Sequence, residues 1–236
     1  MDKEQLVHGV FQSVADSYDA ANDRISLGMH HRWKRELVSA VTDVLPAQGG
    51  SILDLCCGTG DITLRLAREH SDAQVTGLDF SQGMLDVARQ HVAAAALSNV
   101  DLVEGDAMHL DYPDSSFDAA VISFGLRNTP DYAQVVGEMT RVVRPGGLVA
   151  CLDASVPDNR AVRPFYMVYY RVFMPLLGGG ISKRDEYKWL YRSTQEFLNK
   201  RELAALFTDS GLERVGVRGF MCGSAALHTG FVPSAS

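Results

Sequence analysis

The stretch Ser51-Ile-Leu-Asp-Leu-Cys-Cys-Gly-Thr-Gly-Asp61 constrains this chain more than any other, because a short apolar run passes straight into a turn whose Gly58 and Gly60 carry no side chain. An apolar strand predicted over Ser51–Leu55 must be buried on both faces. The glycines after it permit positive φ and close approach of a ligand to the main chain. A helix predicted from Ile62 aims unpaired backbone N–H groups at the same place. Strand, bare turn and helix together form a ligand cradle. Thr59 is either a contact of that ligand or a stiffener of the turn.

The segments around the cradle alternate in period. A helix over Trp33–Leu45 ends at Pro46 and Gly49-Gly50, and after the cradle helix, Ile62–Glu69, come a strand at Val75–Leu78, a helix at Ser81–Ala96 and a strand at Val100–Val103. A strand at Phe117–Ser123, a helix at Ala133–Val143 and a strand at Leu148–Leu152 follow, with Arg144-Pro-Gly-Gly147 read as the intervening turn. This order predicts an α/β fold with a doubly wound, mostly parallel sheet and a ligand at the carboxyl ends of its strands. Within one domain, residues 1–48 are expected to form a helical cap, 49–153 the cofactor-binding core and 154–198 an acceptor-side lid. Residues 199–236 supply a helix opened by Asn199 and Glu202, then two closing antiparallel strands. In the cap, Val7, Val10, Phe11, Val14 and Tyr18 recur at helical spacing.

The acids at the strand ends indicate the ligand. Asp79 ends the second apolar run, 25 positions after Asp54, where a carboxylate usually accepts ribose hydroxyls. A dinucleotide turn would carry a third small residue where this chain has Thr63. A pyrophosphate would be repelled by Asp54 and Asp61, whereas a ligand bearing an ammonium and a sulfonium would be attracted. S-adenosyl-L-methionine fits, and Asp106 with Ala107 is placed to meet its adenine. Taken singly, Asp54 reads as well as a buried turn-former, Asp79 as a helix cap and Asp106 as part of a solvated loop. Their ordered recurrence behind one glycine turn favours the ligand.

With 236 residues and a formal net charge of −7, the chain can bury one sizeable core and shows no Lys/Arg run suited to nucleic acid. Its four cysteines, Cys56, Cys57, Cys151 and Cys222, lack metal-ligand spacing, and no metal is expected. A charged opening sequence and the lack of a run of eighteen apolar residues predict a cytoplasmic protein with no membrane span.

Two further patterns carry a resemblance. Phe11-x-x-Val14-Ala-x-x-Tyr18-Asp19-x-x-Asn22-Asp23, continuing to Trp33-Lys34-Arg35, and Ile122-Ser-Phe-Gly-Leu-Arg-Asn128 are similar, with the cradle, to the ubiquinone/menaquinone C-methyltransferase family, most closely its demethylmenaquinone branch. The likeness runs from about Val10 to Gly230. It implies cofactor contacts at Thr59, Asp79, Asp106, Ala107 and Ser123. The full expected set is Asp54, Gly58, Thr59, Gly60, Asp79, Phe80, Met84, Asp106, Ala107 and Ser123. Departures fall on the acceptor side, where this chain reads Asp153-Ala-Ser-Val-Pro157, Phe197-Leu198 and Gly230-Phe-Val232.

The resemblance implies methylation of a ring carbon in a prenylated demethylnaphthoquinol. Such a carbon is a poor nucleophile until a neighbouring phenol of pKa ~10 is ionised. Arg127 is expected to stabilise the phenolate, or else to hold the loop after the fourth strand through a salt bridge; Asn128 is expected to orient a water, and Tyr18 either to close the site or to pack in the core. The apolar segment Pro164–Leu177, with Arg171 inside it and Gly178-Gly-Gly180 after it, is expected to be a lid touching the membrane surface transiently at its inner face, or else an ordinary core helix. Alternatives are a methyltransferase for another small aromatic or polyketide acceptor, and a non-catalytic cofactor-binding protein.

Overall fold

Apolar residues at helical spacing explain the first helix, α1 (His30–Thr42), which buries Trp33, Leu37, Val38 and Val41 against one face of the sheet. The computed structural model describes residues 28–157, 161, 163–168 and 192–234. The predicted cap helix around Val7–Tyr18 lies outside the described residues, as does the lid segment from 169 to 177.

Strand β1 (Ser51–Leu55) is buried from Ile52 onward and leads through the glycine turn into α2 (Asp61–Glu69). Next come β2 (Gln74–Asp79), α3 (Gln82–Ala94), β3 (Val100–Glu104) and β4 (Phe117–Ser123). A 3-10 turn at Leu126–Asn128 precedes α4 (Tyr132–Val142), which leads directly into β5 (Val143–Ala154). After the short α5 (Arg163–Val168) come α6 (Lys200–Asp209), β6 (Glu213–Phe220) and β7 (Ala225–Phe231). Three helices open on capping side chains: Ser81 for α3, Asp131 for α4, and Asn199 for α6, where Glu202 completes the capping box.

The seven strands lie in the order β3-β2-β1-β4-β5-β7-β6. Strands β1 to β5 pair in parallel, and β7 runs antiparallel to both β5 and β6. The strand order reverses between β1 and β4, so a crevice opens beyond their carboxyl ends. Leu55 pairs with Leu78 on one side and Ile122 on the other, which sets the cradle beside the ends of β2 and β4. Apolar residues fill both faces of the sheet. Leu53, Ile122, Met139 and Phe207 belong to one core, and Ile52, Leu66, Val121 and Leu152 to the other.

The turn expected at Arg144–Gly147 lies inside a strand. Val143 pairs with Phe117 and the ladder resumes where Leu148 meets Ala119, so the intervening residues loop out with Gly146 at φ +79°. Gly147 is tightly enclosed: a Cβ there would come within 2.5 Å of the Asp118 carbonyl oxygen. Pairing on both sides of the loop carries the strand identity through it.

Candidate functional site

The crevice is built around Asp79. One carboxylate oxygen accepts the Gly58 N–H at 2.8 Å, and the other accepts the Ser81 N–H at 2.9 Å. Burial pushes this carboxyl above its ordinary pKa, against the pull of those two amides. The Phe80 N–H is a third amide on this carboxylate, which leaves about one acceptor site for a further donor. The glycine turn is thereby tied to the end of the neighbouring strand.

Gly58 has φ +56°, and a Cβ added there would meet nothing within 4 Å, so bare backbone faces open space. Gly60 has φ +85° and caps α2. A Cβ at Gly60 would lie 2.9 Å from Leu64 Cδ1 and 3.2 Å from the Ala88 Cβ. Between them Thr59 is buried, and its carbonyl accepts His91 Nδ1 at 2.9 Å. Cys56 holds φ +52°, and Cys56 and Cys57 have thiols pushed well up by burial, so neither supplies a thiolate.

Thr63, at the position of the missing third small residue, is fully buried and donates its hydroxyl to Asp54 at 2.6 Å. The close packing such a residue would give comes instead from Gly77, where a Cβ would lie 2.9 Å from Thr63 Oγ1. Asp54 is almost completely buried, and that burial raises its pKa to about 7 despite the Thr63 hydrogen bond. Asp61 corrects the sequence reading. Its carboxylate is bound by Lys34 Nζ and Arg65 Nε, both at 2.6 Å, and these cations hold its pKa below the ordinary value although burial pushes it up. Its charge is compensated locally, which leaves Asp54 and Asp79, whose ionisation burial opposes, as the acids that a cationic ligand would meet.

Around the rim, Phe80 is 37% exposed at the end of β2, while Met84 and Ala107 are buried. Asp106 is exposed and caps its own turn, accepting the Met108 N–H at 2.8 Å and lying 3.2 Å from His109 Nδ1. Ser123 ends β4 with its hydroxyl oxygen shut from solvent and no partner among the described residues. Gly58, Thr59, Gly60, Asp79, Phe80 and Ser123 therefore converge on the crevice from three adjacent strand ends. Among the described residues, no group of His, Cys, Asp or Glu is placed to hold a metal ion.

Arg127 takes the second of the roles offered by its sequence, a salt bridge that holds the loop after β4. Its guanidinium is buried and bonded to Asp153 at 2.5 Å and to the Phe124 carbonyl at 2.8 Å, while its backbone N–H reaches the second Asp153 oxygen at 3.2 Å. The cation expected to face the cradle is thus matched by a buried carboxylate that sequence reasoning left out. Asn128 also turns inward, its amide donating to the Phe124 carbonyl at 3.3 Å. Phe124, at φ +58° directly after β4, is the hub of this loop. It also belongs to an aromatic group in which Trp33 lies 6.5 Å from Phe124 and 5.9 Å from Phe220, centroid to centroid. The pairing of Trp33 with Phe220 spans most of the sequence and left no local signal. Tyr18 lies outside the described residues.

A bare backbone turn, buried carboxylates and an exposed aromatic at one strand-end crevice fit a nucleoside ligand with a cationic centre. Comparison with known proteins agrees. Residues 1–232 match the model of the ubiE/COQ5 methyltransferase family. The demethylmenaquinone methyltransferase of Bacillus mycoides is 46% identical over 233 residues, covering 98% of this chain and 97% of the relative. That of Bacillus cytotoxicus is 45% identical over the same shares. In fold, the chain is similar to a putative S-adenosyl-L-methionine-dependent methyltransferase from Methanococcus maripaludis, with a TM-score of 0.66 at 18% identity over 95% of this chain and 94% of that one. The [4+2]-cyclase SpnF has a TM-score of 0.63 at 22% identity, over 85% and 81% of the two chains. On the strength of a match along nearly its whole length, the chain belongs to the ubiE/COQ5 methyltransferase family.

Proposed function

We propose that this enzyme transfers a methyl group from S-adenosyl-L-methionine to a ring carbon of a reduced, prenylated demethylnaphthoquinol, giving menaquinol. The observation that carries this reading is the near full-length similarity to demethylmenaquinone methyltransferases, supported by a glycine turn whose Gly58 N–H is held by Asp79 at the strand-end crevice. When bound, the cofactor supplies an electrophilic methyl group. Asp79 accepts a ribose hydroxyl through its remaining acceptor site, and Phe80 offers an apolar face to the adenine beside Asp106 and Ala107. Gly58, Thr59 and Gly60 present backbone, Met84 packs beneath, and Ser123 gives a hydroxyl. Asp54 attracts the ammonium through the floor of the cradle.

Ring-carbon attack requires the phenol to ionise, and most of the barrier reduction comes from positioning and excluded water. Because Asp153 balances the Arg127 guanidinium, Arg127 favours a phenolate less than an unpaired cation would. Its role is to fix the Ser123–Asn128 turn against which the ring lies. Tyr18 is proposed to close over the substrate from the N-terminal cap. No helix of the described residues is long and apolar enough to cross a membrane. We place the segment 164–177 at the membrane surface in transient contact, because a prenylated acceptor keeps its tail in lipid.

The test is mass analysis after mixing the protein with S-adenosyl-L-methionine and a reduced short-tailed demethylmenaquinone. The expected result is one added methyl on ring carbon. A protein that binds S-adenosylhomocysteine yet methylates only tail-free phenols would favour another aromatic acceptor, the reading suggested by the Ala154–Pro157 departure, and would overturn the proposal.

A further inference from the structure

Beyond the end of β5 the chain runs on through Ser155, Val156 and Pro157. Tyr166 of α5 donates its hydroxyl to the Ser155 carbonyl at 3.2 Å, tying that helix to the strand end. Facing it, residues 195–199 lead into α6. Between these pieces lies a pocket of about 510 Å³, lined by Val156, Pro157, Arg163, Gln195, Phe197, Leu198, Asn199, Arg201 and Glu202. It touches none of the residues assigned above to cofactor or ring.

The lining has two chemistries. Val156, Pro157, Phe197 and Leu198 are apolar. Arg163 and Arg201 are both exposed, and neither has an acidic partner among the described residues. Gln195 Nε2 is shut from solvent and also lacks a hydrogen-bond partner there. The acid in the lining, Glu202, is held in the capping box, its carboxylate accepting the Asn199 N–H at 2.8 Å, so that the two guanidinium groups outnumber it. Nearby Glu196 is paired with Arg192 at 2.7 Å. Asn199 Oδ1 takes the N–H groups of Arg201 and Glu202 at 2.9 and 3.1 Å, so the first backbone donors of α6 are used internally. Two guanidinium groups are left beside an apolar-walled space far larger than a lone inorganic anion requires.

We propose that this pocket binds the phosphate of an anionic amphiphile, with Arg163 and Arg201 on its oxygens and the apolar wall taking the adjoining carbons. Paired guanidinium forks suit phosphate geometry. The source of the phosphate is a phospholipid headgroup or a soluble phosphate ester. A chain of net charge −7 is repelled as a whole by an anionic bilayer, so a specific basic pocket is the means by which it could settle there. This inference rests on the proposed membrane contact and would place the acceptor lid at the lipid surface.

The test compares the full chain with Arg163→Gln/Arg201→Gln, with Arg163→Lys/Arg201→Lys and with Arg68→Gln, an exposed arginine on α2. Each is titrated with phosphatidylcholine vesicles with and without phosphatidylglycerol, and separately with inorganic phosphate by calorimetry. The glutamine pair is expected to lose about thirtyfold in affinity for the anionic vesicles, as for two arginines removed from an anionic surface. The lysine pair should retain most of the affinity, and Arg68→Gln all of it. Binding to the anionic vesicles that the glutamine pair loses identifies a lipid source. Arginine-dependent phosphate binding without vesicle binding identifies a soluble ester. If neither ligand responds to the glutamine pair while its thermal unfolding matches the parent, the proposal is overturned. Methylation of a short-tailed acceptor in vesicle-free solution, measured in parallel, separates failure of the pocket from failure of the enzymatic reading.

Discussion

Replacing Asp54 with asparagine probes the electrostatics under the cradle. Asp54 lies almost wholly buried, and its pKa is raised from 3.8 to about 7, first by loss of solvent and further by Asp61 and Asp79, while Thr63 opposes the rise. A raised carboxyl binds a proton in the native state that the unfolded chain has already released. Its contribution therefore makes the fold less stable as pH climbs from about 4 to about 7, and levels off above. At 1.36 kcal/mol per unit, the two units between about pH 5 and about pH 7 are worth about 3 kcal/mol. Asp54→Asn removes this titration. Urea unfolding of both proteins, followed by circular dichroism, should show the variant gaining about 3 kcal/mol on the parent between about pH 5 and about pH 8. Asp79 and Asp61 titrate in both proteins, so the difference reports Asp54 together with its coupling to these two acids. A cationic ligand above the floor should also draw the proton off, so S-adenosyl-L-methionine affinity should rise with pH in the parent and stay flatter in the variant. A stability difference that does not change with pH would refute the assignment of a charged, buried Asp54 to the cradle.

Asp153→Asn should cost about 3–5 kcal/mol of unfolding free energy, because it leaves the buried Arg127 guanidinium without its counter-charge. A loss below about 1 kcal/mol by denaturant titration would show that the pair is not buried as described. Asp79→Ala should weaken S-adenosylhomocysteine binding about tenfold or more by calorimetry while near-native helix content remains, since it removes the ribose acceptor and unties Gly58. Unaltered affinity would undo the ribose assignment.

Much of this architecture was legible in local sequence. The strands Ser51–Leu55 and Phe117–Ser123 have the bounds predicted for them, because each is an apolar run cut off by turn chemistry. The box formed by Asn199 and Glu202 marks the start of α6 equally clearly. The first described helix was placed late, at Trp33 rather than His30, because His30 and His31 add nothing to an apolar stripe. What the sequence hid is pairing across distance. Lys34 reaches Asp61 across 27 positions, and Arg127 reaches Asp153 across 26. Charge patterning along a chain registers the presence of such groups but not who neutralises whom. For that reason the electrostatic argument for the ligand included Asp61, and the mechanistic argument preferred a phenolate partner for Arg127 over a salt bridge.

Strand β7 has a neighbour on either side, while β6 touches the sheet through β7 alone. The outermost ribbon is therefore a dependent of the strand that follows it in the chain, and disorder entering at residues 225–231 would release Phe220 and, with it, the ring stacked on Trp33. Because Trp33 also leans on Phe124, slackening at that border would be felt at the loop beside the crevice with no lesion in the crevice itself.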